Sequence, residues 1–475
     1  MPDRGKLQQA AVWTPDLRAS SGGVKHKRLT DRIIAAIESG ELPPGARMPT
    51  HRELAHRLKV SVQTVSLAYG QAELKGYLRG EVGRGTFVRP RITERAGRFM
   101  RDRGSREVTD LSIIRAVYTD EHEAASRALL AALAAGDNGG FMRPCRPVAG
   151  LDRHRETARI WLSRLKAPAE RERILITNGA AQGVFLSLSA VARPGDLILT
   201  EGLTDHGVIG LANVLGFTLR GLTTDREGIL PDAFEAACRA AKVTALVVIP
   251  TLNNPTATVM GEARRRAIAE IAQRHGVFVI EDEVCKPLVE APPPSIASLI
   301  PELGFFATSF TKSVMTGLRT GYLVVPPAYS IRVASILRVT GWSATNIVAE
   351  MAARWVEDGT ADRLLAVQRR EIRARQALLS EALGAAVAST HPDSLCAWLS
   401  APEGWTEEGL VGALARNGIA VAPSDPFIAG GERPAGGVRI CVGGRYGHAH
   451  LRETFERMRA VFEQLPPVLD VGSMA

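Results

Sequence analysis

The stretch that decides the fold is residues 305–326, FFATSFTKSVMTGLRTGYLVVP. It opens with a strand-like apolar run at 305–307, passes through a hydroxyl-bearing turn at 309–311 and reaches Lys312. Arg319 comes seven residues after the lysine, and a second apolar run follows at 322–325. A lysine at the carboxyl end of a buried strand is partly desolvated, which lowers its pKa and frees the amine for imine formation.

The groups on either side of Lys312 suit a phosphate. Short hydroxyl donors precede the lysine and the planar fork of Arg319 follows it, and both bind phosphate oxygens well. Pyridoxal 5'-phosphate (PLP) is the cofactor that needs an imine-forming lysine together with a phosphate clamp. A lone lysine is more often a solvated surface charge, so the PLP interpretation requires the rest of a pocket elsewhere in the chain.

Length and composition limit the number of domains and the class of protein. A chain of 475 residues is too long for one core and predicts two or three domains. Its apolar content of 45% is ordinary for a globular protein. No apolar run approaches ~18 residues and the first residues hold no signal-peptide core, so we expect a cytoplasmic protein without membrane spans. The five cysteines are scattered without metal-binding spacing, which predicts reduced thiols and no metal site.

The excess positive charge is confined to the first quarter of the chain. Residues 1–110 hold 21 Lys and Arg against 12 Asp and Glu, a net of +9, whereas the remainder holds 38 of each sign. A neutral body with a basic N-terminal module is what nucleic-acid binding requires. A basic disordered tail would give the same balance, so the residue pattern in this part has to decide.

Periodicity over residues 25–89 predicts three helices followed by a hairpin with a glycine-rich tip. Thr50 and Glu53 form a capping box that opens the second helix, and Ser61 caps the third. The third helix carries the apolar residues Val62, Val65, Leu67 and Leu74. Three helices and a hairpin make a winged helix-turn-helix, whose third helix enters the major groove of DNA.

The third helix and the wing carry the expected DNA contacts. The first turn of that helix lies at base edges or phosphates, and the arginines at the start of the second helix and at the wing tip are placed for phosphates or the minor groove. Each arginine alone is equally well explained as a solvated charge, but the set favours DNA. The expected DNA-binding residues are Arg52, Ser61, Gln63, Thr64, Arg84 and Gly85.

The segment SGELPPGARMPTHRELAHRLKVSVQTVSLAYGQAELKGYLRGEVGRGTFV, residues 39–88, resembles the DNA-binding domain of the GntR regulators. The resemblance is nearly complete over residues 25–89. An arginine-rich stretch at 90–109 follows and is interpreted as a charged, extended linker.

From residue 110 to about 465, strand-like apolar runs alternate with helical stretches, which predicts a parallel α/β sheet and then a smaller α/β portion. Large-sheet strands are expected at 174–177, 197–200, 218–222, 245–249, 277–281, 305–309 and 322–325. Helices are expected at 262–275 and, as long amphipathic segments, at 343–384. The smaller portion is expected to hold strands near 395–399, 419–422 and 438–442 and a helix at 407–417.

Polar groups at three predicted strand ends would complete a pocket. Small residues at 177–182 allow backbone N–H groups at a helix start to cradle a phosphate. Asn254 could hydrogen-bond a ring hydroxyl, and Asp282 could pair with a protonated pyridine nitrogen. A tight turn, an Asn-Pro turn and a helix N-cap explain the same residues singly. Strand ends at one edge of a parallel sheet are, however, where such folds bind small molecules.

In their chain order these groups are similar to those of the fold-type I aminotransferases. The resemblance implies that Lys312 is the Schiff-base lysine and the catalytic residue, that Asp282 pairs with the pyridinium and that Asn254 bonds the phenolic oxygen of PLP. It implies that Arg439, in the small domain, grips the carboxylate of a substrate or effector. The residues implied to hold the phosphate are Ala180, Ala181, Ser309, Thr311 and Arg319.

Together the two modules resemble the MocR subfamily of GntR regulators. The expected fold class is α/β, with a winged helix-turn-helix domain at 25–89, a linker at 90–109 and a PLP-dependent fold-type I aminotransferase-like body at 110–465. That body is expected to have a large parallel-sheet domain and a small C-terminal α/β domain. The resemblance implies a head-to-tail homodimer on double-stranded operator DNA that regulates transcription and senses an amine or amino-acid effector through PLP.

Three positions depart from that pattern. Ala257 stands where an Asn-Pro-Thr-Gly turn has glycine, and Cys285 stands where a tyrosine is usual. Asp205 stands where a ring-facing aromatic is usual, which leaves His206 as the nearest flat side chain for the cofactor ring. Lost ring contacts argue against efficient transamination. Two alternatives stay open: an active PLP-dependent aminotransferase with a DNA-binding domain, and a regulator whose pocket binds a ligand other than PLP.

Overall fold

The computed structural model of the chain describes residues 13–15, 25–38, 41–42, 46–74, 77–81, 85–88, 108–136, 139–168, 170–429 and 437–464. The chain divides into two compact units, Met1–Glu94 and Arg95–Ala475. The predicted linker lies outside the described residues except at its last two positions. Among the helices described, none is both long enough and apolar enough to span a membrane.

The first unit consists of three helices and an antiparallel hairpin. The capping box is present, because Glu53 N donates to Thr50 Oγ1 at 3.3 Å and Thr50 N donates to Glu53 Oε2 at 3.0 Å. Thr64 N donates to Ser61 Oγ at 3.1 Å, so Ser61 caps the third helix as predicted. The elements are α1 (Lys25–Glu38), α2 (His51–Leu58), α3 (Val62–Leu74), β1 (Leu78–Glu81) and β2 (Gly85–Val88).

The apolar residues noted on α3 in the sequence are not all buried. Val62 and Leu67 are 45% and 48% exposed, whereas Val65 is fully buried. The core-facing positions of α3 are Val65, Ala68, Tyr69 and Ala72, spaced three, one and three residues apart as one helical face requires. Leu67 is only two residues from Val65 and therefore points away from that face. The side chain of Leu74 lies outside the described residues.

The second unit begins with a short strand and alternates helices and strands as far as residue 324. Its first elements are β3 (Thr109–Asp110), α4 (Asp120–Ala135), α5 (Gly139–Met142), α6 (Asp152–Ser163), β4 (Ile174–Thr177), α7 (Ala180–Val191), β5 (Leu197–Glu201), α8 (His206–Leu215), β6 (Thr218–Leu222), β7 (Thr224–Asp225), β8 (Gly228–Ile229), α9 (Pro231–Ala240), β9 (Val243–Val248), α10 (Glu262–His275), β10 (Phe278–Asp282), α11 (Ile296–Leu299), β11 (Gly304–Ser309) and β12 (Gly321–Val324).

The large sheet has seven strands in the order β4-β12-β11-β10-β9-β5-β6. Each predicted strand is present within two residues of its expected ends. The prediction of a wholly parallel sheet is wrong, because β12 runs antiparallel to both β4 and β11. Parallel neighbours need a crossover of a dozen or more residues, and residues 310–320 form only a short return between β11 and β12. Apolar side chains line both faces of this sheet, as a sheet between two helical layers requires.

The C-terminal part adds long helices and a small antiparallel sheet. The sheet has the order β13-β14-β17-β16, and Arg439 on β17 lies opposite Trp398 on β14. The start of the unit joins this part, because β3 pairs in parallel with β15. The elements are α12 (Ser330–Gly341), α13 (Asn346–Glu357), α14 (Thr360–Leu383), β13 (Val387–Ser389), β14 (Cys396–Ser400), α15 (Glu407–Arg416), β15 (Ile419–Ala420), β16 (Ala422–Pro423), β17 (Gly437–Cys441) and α16 (His448–Phe462).

Candidate cofactor site and nucleic-acid interface

The predicted site residues of the second unit follow one edge of the large sheet. Asp282 ends β10 and Lys312 follows β11, while Asn254 follows β9 and His206 follows β5. Strands β5, β9, β10 and β11 are parallel, so their carboxyl ends lie at the same edge. Arg319 reaches this edge from the other direction, because it precedes the antiparallel strand β12. One edge of the sheet therefore collects these side chains, as open α/β folds do for small molecules.

A cavity of about 110 Å³ brings five of the predicted residues together. It is lined by Lys312, Asp282, Asn254, His206 and Arg439. It is also lined by Asp205 and Cys285 and by the apolar pair at 113–114. An amine, a guanidinium and two carboxyl groups thus face one another in a confined space.

Lys312 lies in the turn after β11, with its ammonium partly buried. Its Nζ donates a hydrogen bond of 2.5 Å to the backbone oxygen of Ile114. Burial lowers the pKa of the Lys312 ammonium, although the nearby negative charge of Asp205 acts in the opposite direction. A lysine with a lowered pKa is a better nucleophile at neutral pH, which is what imine formation requires.

Asp282 ends β10 inside the same cavity. Burial raises the pKa of the Asp282 carboxyl to about 7, and the negative charge of Asp205 adds to this effect. Its Oδ1 accepts a hydrogen bond of 3.3 Å from Val284 N, so the residue closes a turn rather than capping a helix. A cationic ring nitrogen beside this carboxyl would favour its ionised form, because an opposite charge offsets the cost of burial.

Asn254 links two charged residues across the cavity. Its Nδ2 donates to Asp205 Oδ2 at 2.5 Å, and its Oδ1 accepts from Arg439 Nη1 at 2.8 Å. Arg439 is buried, and its guanidinium lies 4.7 Å from the centre of the Phe427 ring. A second nitrogen of Arg439, Nη2, donates to the backbone oxygen of Ser112. This network places Arg439 inside the cavity with its charge desolvated, where it can recognise a carboxylate.

Asp205 is the residue that sequence reasoning missed as a member of the site. The sequence marked it only as the place of a lost aromatic ring. In the structure its Oδ1 accepts from Gly207 N at 2.7 Å and caps α8, while its Oδ2 holds Asn254. The sequence is sufficient to recognise the cap, because aspartate is a preferred residue immediately before the first residue of a helix. Its negative charge within the cavity was not readable, because it depends on the contact with Asn254.

The residues predicted to hold a phosphate form a second cluster beside the cavity. Phe310 N donates to Thr320 O at 3.1 Å, which brings the turn at 309–311 next to Arg319. Gly321 pairs with Thr177, so this turn also lies beside the start of α7 at 180–181. Gly179 has φ +95°, and a Cβ added there would come within 3.0 Å of the Arg319 guanidinium. Glycine is therefore required at this position for the guanidinium to lie against the helix start.

The donors of this cluster fit a phosphate. The hydroxyl Oγ1 of Thr311 is buried and finds no hydrogen-bond partner among the described residues. A buried hydroxyl without a partner is costly, so a ligand oxygen is the natural acceptor. Ser309 Oγ accepts from Thr311 N at 3.3 Å, which leaves its own hydrogen available. Ala180 is buried and Ala181 is exposed at the first turn of α7, whose backbone N–H groups favour an anion.

The three departures from the aminotransferase pattern have visible consequences. Ala257 adopts φ +59°, a left-handed conformation that glycine takes without strain. Cys285 is buried in the cavity wall, and its thiol is a weaker hydrogen-bond donor than a tyrosine hydroxyl. His206 lines the cavity, with its ring 6.2 Å from that of Phe427 in a perpendicular arrangement. The structure thus places His206 at the site without a tyrosine-like ring contact from position 285.

A buried ionic network behind the sheet edge holds two of the site loops. Arg265 on α10 is fully buried and donates to Glu283 Oε1 at 2.8 Å, one residue beyond Asp282. It also donates to Pro250 O at 3.0 Å and to Thr251 Oγ1 at 2.7 Å, on the loop that leads to Asn254. The guanidinium therefore ties the ends of β9 and β10 together and positions Asn254 and Asp282 indirectly.

The predicted DNA-facing residues of the first unit are on its surface. Arg52, Ser61 and Gln63 are exposed, and Thr64 is partly exposed next to them. Ser61 Oγ and Thr64 Oγ1 lie 2.9 Å apart, so these hydroxyls bond each other at the start of α3. Gly85 is exposed and has φ +116° at the start of β2. The remaining predicted contact, Arg84, lies outside the described residues.

Arg47 is a basic residue of this surface that the sequence did not single out. Its backbone pairs with Phe87, and a Cβ added at Gly85 would come within 3.1 Å of the Arg47 Nε. The guanidinium of Arg47 therefore lies against the wing. No sequence signal marked it, because its place follows from the pairing of residues 46–48 with β2.

Both units match known families. Residues 25–88 match the bacterial regulatory proteins of the gntR family, and residues 107–455 match the class I and II aminotransferases. The HTH-type transcriptional regulator YdeF of Bacillus subtilis (strain 168) is 26% identical over 453 residues, which cover 90% of this chain and 92% of YdeF. The HTH-type pyridoxine biosynthesis transcriptional regulator PdxR of Corynebacterium glutamicum is 26% identical, covering 75% of this chain and 78% of PdxR.

A solved structure confirms the fold of the second unit. LysN, the α-aminoadipate aminotransferase of Thermus thermophilus, superposes with a TM-score of 0.67 at 21% identity and covers 78% of this chain and 96% of LysN. The two matched families, their order along the chain and the named regulators all indicate the same two-domain composition. The chain therefore belongs to the class I and II aminotransferase family and, with its gntR-family domain, is a transcriptional regulator with the two-module composition of the MocR subfamily.

Proposed function

We propose that the body of this regulator, residues 110–465, binds PLP through Lys312 and uses it to sense an amine or amino-acid effector. The observation that carries the proposal is the cavity that holds Lys312, Asp282 and Arg439 together. The buried hydroxyl of Thr311, which lacks a partner among the described residues, immediately precedes the lysine. The amine of Lys312 and the carboxyl of Asp282 thus face one cavity. A hydroxyl suited to a phosphate oxygen lies on the same turn as the lysine.

Each polar group of the site has a role toward PLP. When bound, PLP supplies an aldehyde that reacts with amines and a pyridine ring that withdraws electrons. Lys312 would hold the cofactor covalently through its Nζ, and its lowered pKa favours this role. Asp282 would pair with the ring nitrogen, Asn254 would bond the phenolic oxygen and His206 would lie against the ring. The phosphate is held by the start of α7 at Ala180 and Ala181 and by Ser309, Thr311 and Arg319.

Arg439 supports recognition of a carboxylate on the effector. Its guanidinium is desolvated and bonded to neutral oxygens of Asn254 and Ser112. A carboxylate is a stronger acceptor for these nitrogens than an amide or a peptide oxygen. Asp205, 2.5 Å from Asn254, supplies a negative charge that suits the ammonium of the same effector.

Within the first unit, residues 25–89 bind double-stranded operator DNA through α3 and the wing, and residues 90–109 form the linker. The set proposed to contact DNA is Arg52, Ser61, Gln63, Thr64, Arg84 and Gly85. The protein acts as a homodimer, because sites for helix-turn-helix dimers are two-fold symmetric and engage two DNA-binding domains. The head-to-tail arrangement is what the resemblance to the MocR subfamily implies. Light scattering of the purified chain tests the dimer, since a monomer mass with operator DNA present would contradict it.

The test of cofactor binding is an absorption spectrum of the protein with PLP, beside a Lys312→Ala variant. We expect a visible band from the lysine–cofactor bond in the wild type and none in the variant. A Lys242→Ala variant is the matched control, because Lys242 is an exposed lysine remote in sequence from the site. Equal spectra for the wild type and Lys312→Ala would contradict the proposal. The Lys242→Ala control should show the same visible band as the wild type.

An active aminotransferase is the second candidate function. It is favoured by one observation, namely that Lys312, Asp282 and Arg439 all remain in one cavity. Single-turnover transfer of an amino group from a panel of amino acids, followed by the loss of the lysine–cofactor band, distinguishes the two functions. Turnover at rates typical of enzymes, on the order of 1 per second or faster, would establish the enzyme.

A further inference from the structure

Residues 108–118, which we call the strap, lie near the start of the second unit and form part of the cavity wall. The strap is the first described segment of the second unit, and its first two residues are the last two of the predicted linker. Its side chains at 113–114 line the cavity. A change in the conformation of the strap would therefore act at the point where the predicted linker joins the body proposed to bind the cofactor.

The strap is anchored at both ends by backbone hydrogen bonds to the C-terminal part. Thr109 N and Leu111 N donate to the oxygens of Gly418 and Ala420, at 2.8 Å and 2.9 Å. Tyr118 N donates to Gly444 O at 3.2 Å, and Gly444 N returns a bond of 3.1 Å to Ala116 O. Residues 112–115 between these anchors form neither helix nor strand.

Two functional side chains hold the middle of the strap. Lys312 Nζ donates to Ile114 O at 2.5 Å, and Arg439 Nη2 donates to Ser112 O. The two acceptors are backbone oxygens two residues apart. The lysine proposed to bind the cofactor and the arginine proposed to bind the effector thus both bond the same short stretch of backbone.

We propose that the Lys312–Ile114 hydrogen bond is a tether that reports the state of the cofactor site to the linker. This inference rests on the proposed function. The Lys312 ammonium would first give up one proton to solvent. When Nζ then forms its double bond to the aldehyde carbon, its two remaining hydrogens leave with the carbonyl oxygen as water. The nitrogen then carries at most one proton and is fixed in the plane of that bond. It therefore cannot turn a donor toward Ile114 O as the freely rotating ammonium does, and the tether is lost.

An amine effector reverses this change. Its nitrogen takes over the double bond to the cofactor carbon, and its two hydrogens return to Nζ, so no water is consumed or released. Lys312 is again a free amine, regains a proton from solvent and bonds Ile114 O. The strap is therefore tethered in the empty and effector-bound states and untethered in the state with cofactor alone. The state of the strap therefore distinguishes protein with cofactor alone from protein in which the effector has reacted with the cofactor. A sensor has to transmit this difference.

Hydrogen exchange of the full-length protein tests the tether. The peptide that covers residues 108–118 is followed by mass spectrometry in the wild type with and without PLP, in Lys312→Ala and in Lys242→Ala. A hydrogen bond to a charged donor changes an opening equilibrium by roughly ten- to hundred-fold. We expect PLP to accelerate exchange of this peptide by about tenfold or more in the wild type and in the Lys242→Ala control. Lys312→Ala should exchange fast without PLP and show no further change with it.

The outcomes separate the inference from the proposed function. A visible lysine–cofactor band together with unchanged exchange at 108–118 would overturn the tether and leave cofactor binding intact. Absence of the band would overturn cofactor binding, and the ligand-free comparison of the wild type with Lys312→Ala would still decide whether Lys312 holds the strap. Equal ligand-free exchange in these two proteins refutes the tether in every case.

Discussion

Replacing Arg265 by methionine tests whether the buried ionic network holds the sheet edge that carries the site. Arg265 is fully buried, and its guanidinium bonds Glu283, Thr251 and the oxygen of Pro250. Its Nε also donates to Met260 O at 2.8 Å. Methionine keeps most of the apolar stem of arginine, so the change removes charge and hydrogen bonds while leaving little empty volume.

The magnitude follows from what the substitution leaves behind. Breaking a buried ion pair by removing one partner costs about 3–5 kcal/mol, because the remaining charge is uncompensated. Glu283 keeps one cation, since Lys286 Nζ lies 3.1 Å from its Oε1. The loss is therefore expected near the lower end of that range, at about 3 kcal/mol in the free energy of unfolding.

Urea denaturation followed by tryptophan fluorescence measures this loss, because Trp161 and Trp355 are buried in the second unit. Arg266→Met is the matched control: the next residue of α10 forms an exposed pair with Glu262 at 2.6 Å. Exposed pairs of this kind contribute about 0.5 kcal/mol or less. If Arg265→Met costs less than about 1 kcal/mol, or no more than the control, the network does not hold the sheet edge and the reasoning is refuted.

Three further predictions address the site and the DNA surface. Because burial raises the pKa of Asp282 to about 7, the folded state keeps a proton that the unfolded chain releases near pH 4, so ligand-free stability should fall as the pH rises from about 4 through 7. Asp282→Asn should flatten this fall in thermal midpoints measured across that range, and an unchanged slope would contradict the assignment. Thr311→Val removes the buried hydroxyl at equal volume and should weaken PLP binding by about tenfold in an absorbance titration, whereas Thr340→Val, on an exposed helix position, should leave it unchanged. Arg47→Ala should lower the salt dependence of DNA binding by about one unit of log K against log salt, and an unchanged slope would show that Arg47 does not contact phosphate.

The sequence predicted those parts of the structure that local patterns determine. The helix Glu262–His275 has its predicted ends, because the glycines on either side begin and end it. The capping box at Thr50 and Glu53 is also present as predicted. These features depend on residues within a few positions of one another, so one sequence is sufficient to recognise them.

What the sequence did not predict depends on contacts between distant residues. The direction of β12 is set by the return at 310–320, which apolar content alone does not reveal. The place of Asp205 within the site depends on Asn254, 49 residues away in the chain. The bond from Lys312 to Ile114 spans 198 residues. Periodicity carries no information on such pairs, whereas the order of the site motifs did identify the sheet edge at which they meet.

The antiparallel direction of β12 has a mechanical consequence. Lys312 and Arg319 lie in one return between neighbouring strands of the same sheet, where Ser309 pairs with Gly321. Arg439 lies on β17 of the separate four-stranded sheet. A rotation of one sheet relative to the other would change the separation of Arg439 and Lys312 but not that of Lys312 and Arg319. Lys312 and Arg319, both proposed to bind the cofactor, thus belong to one sheet, whereas Arg439, proposed to grip the effector, belongs to the other.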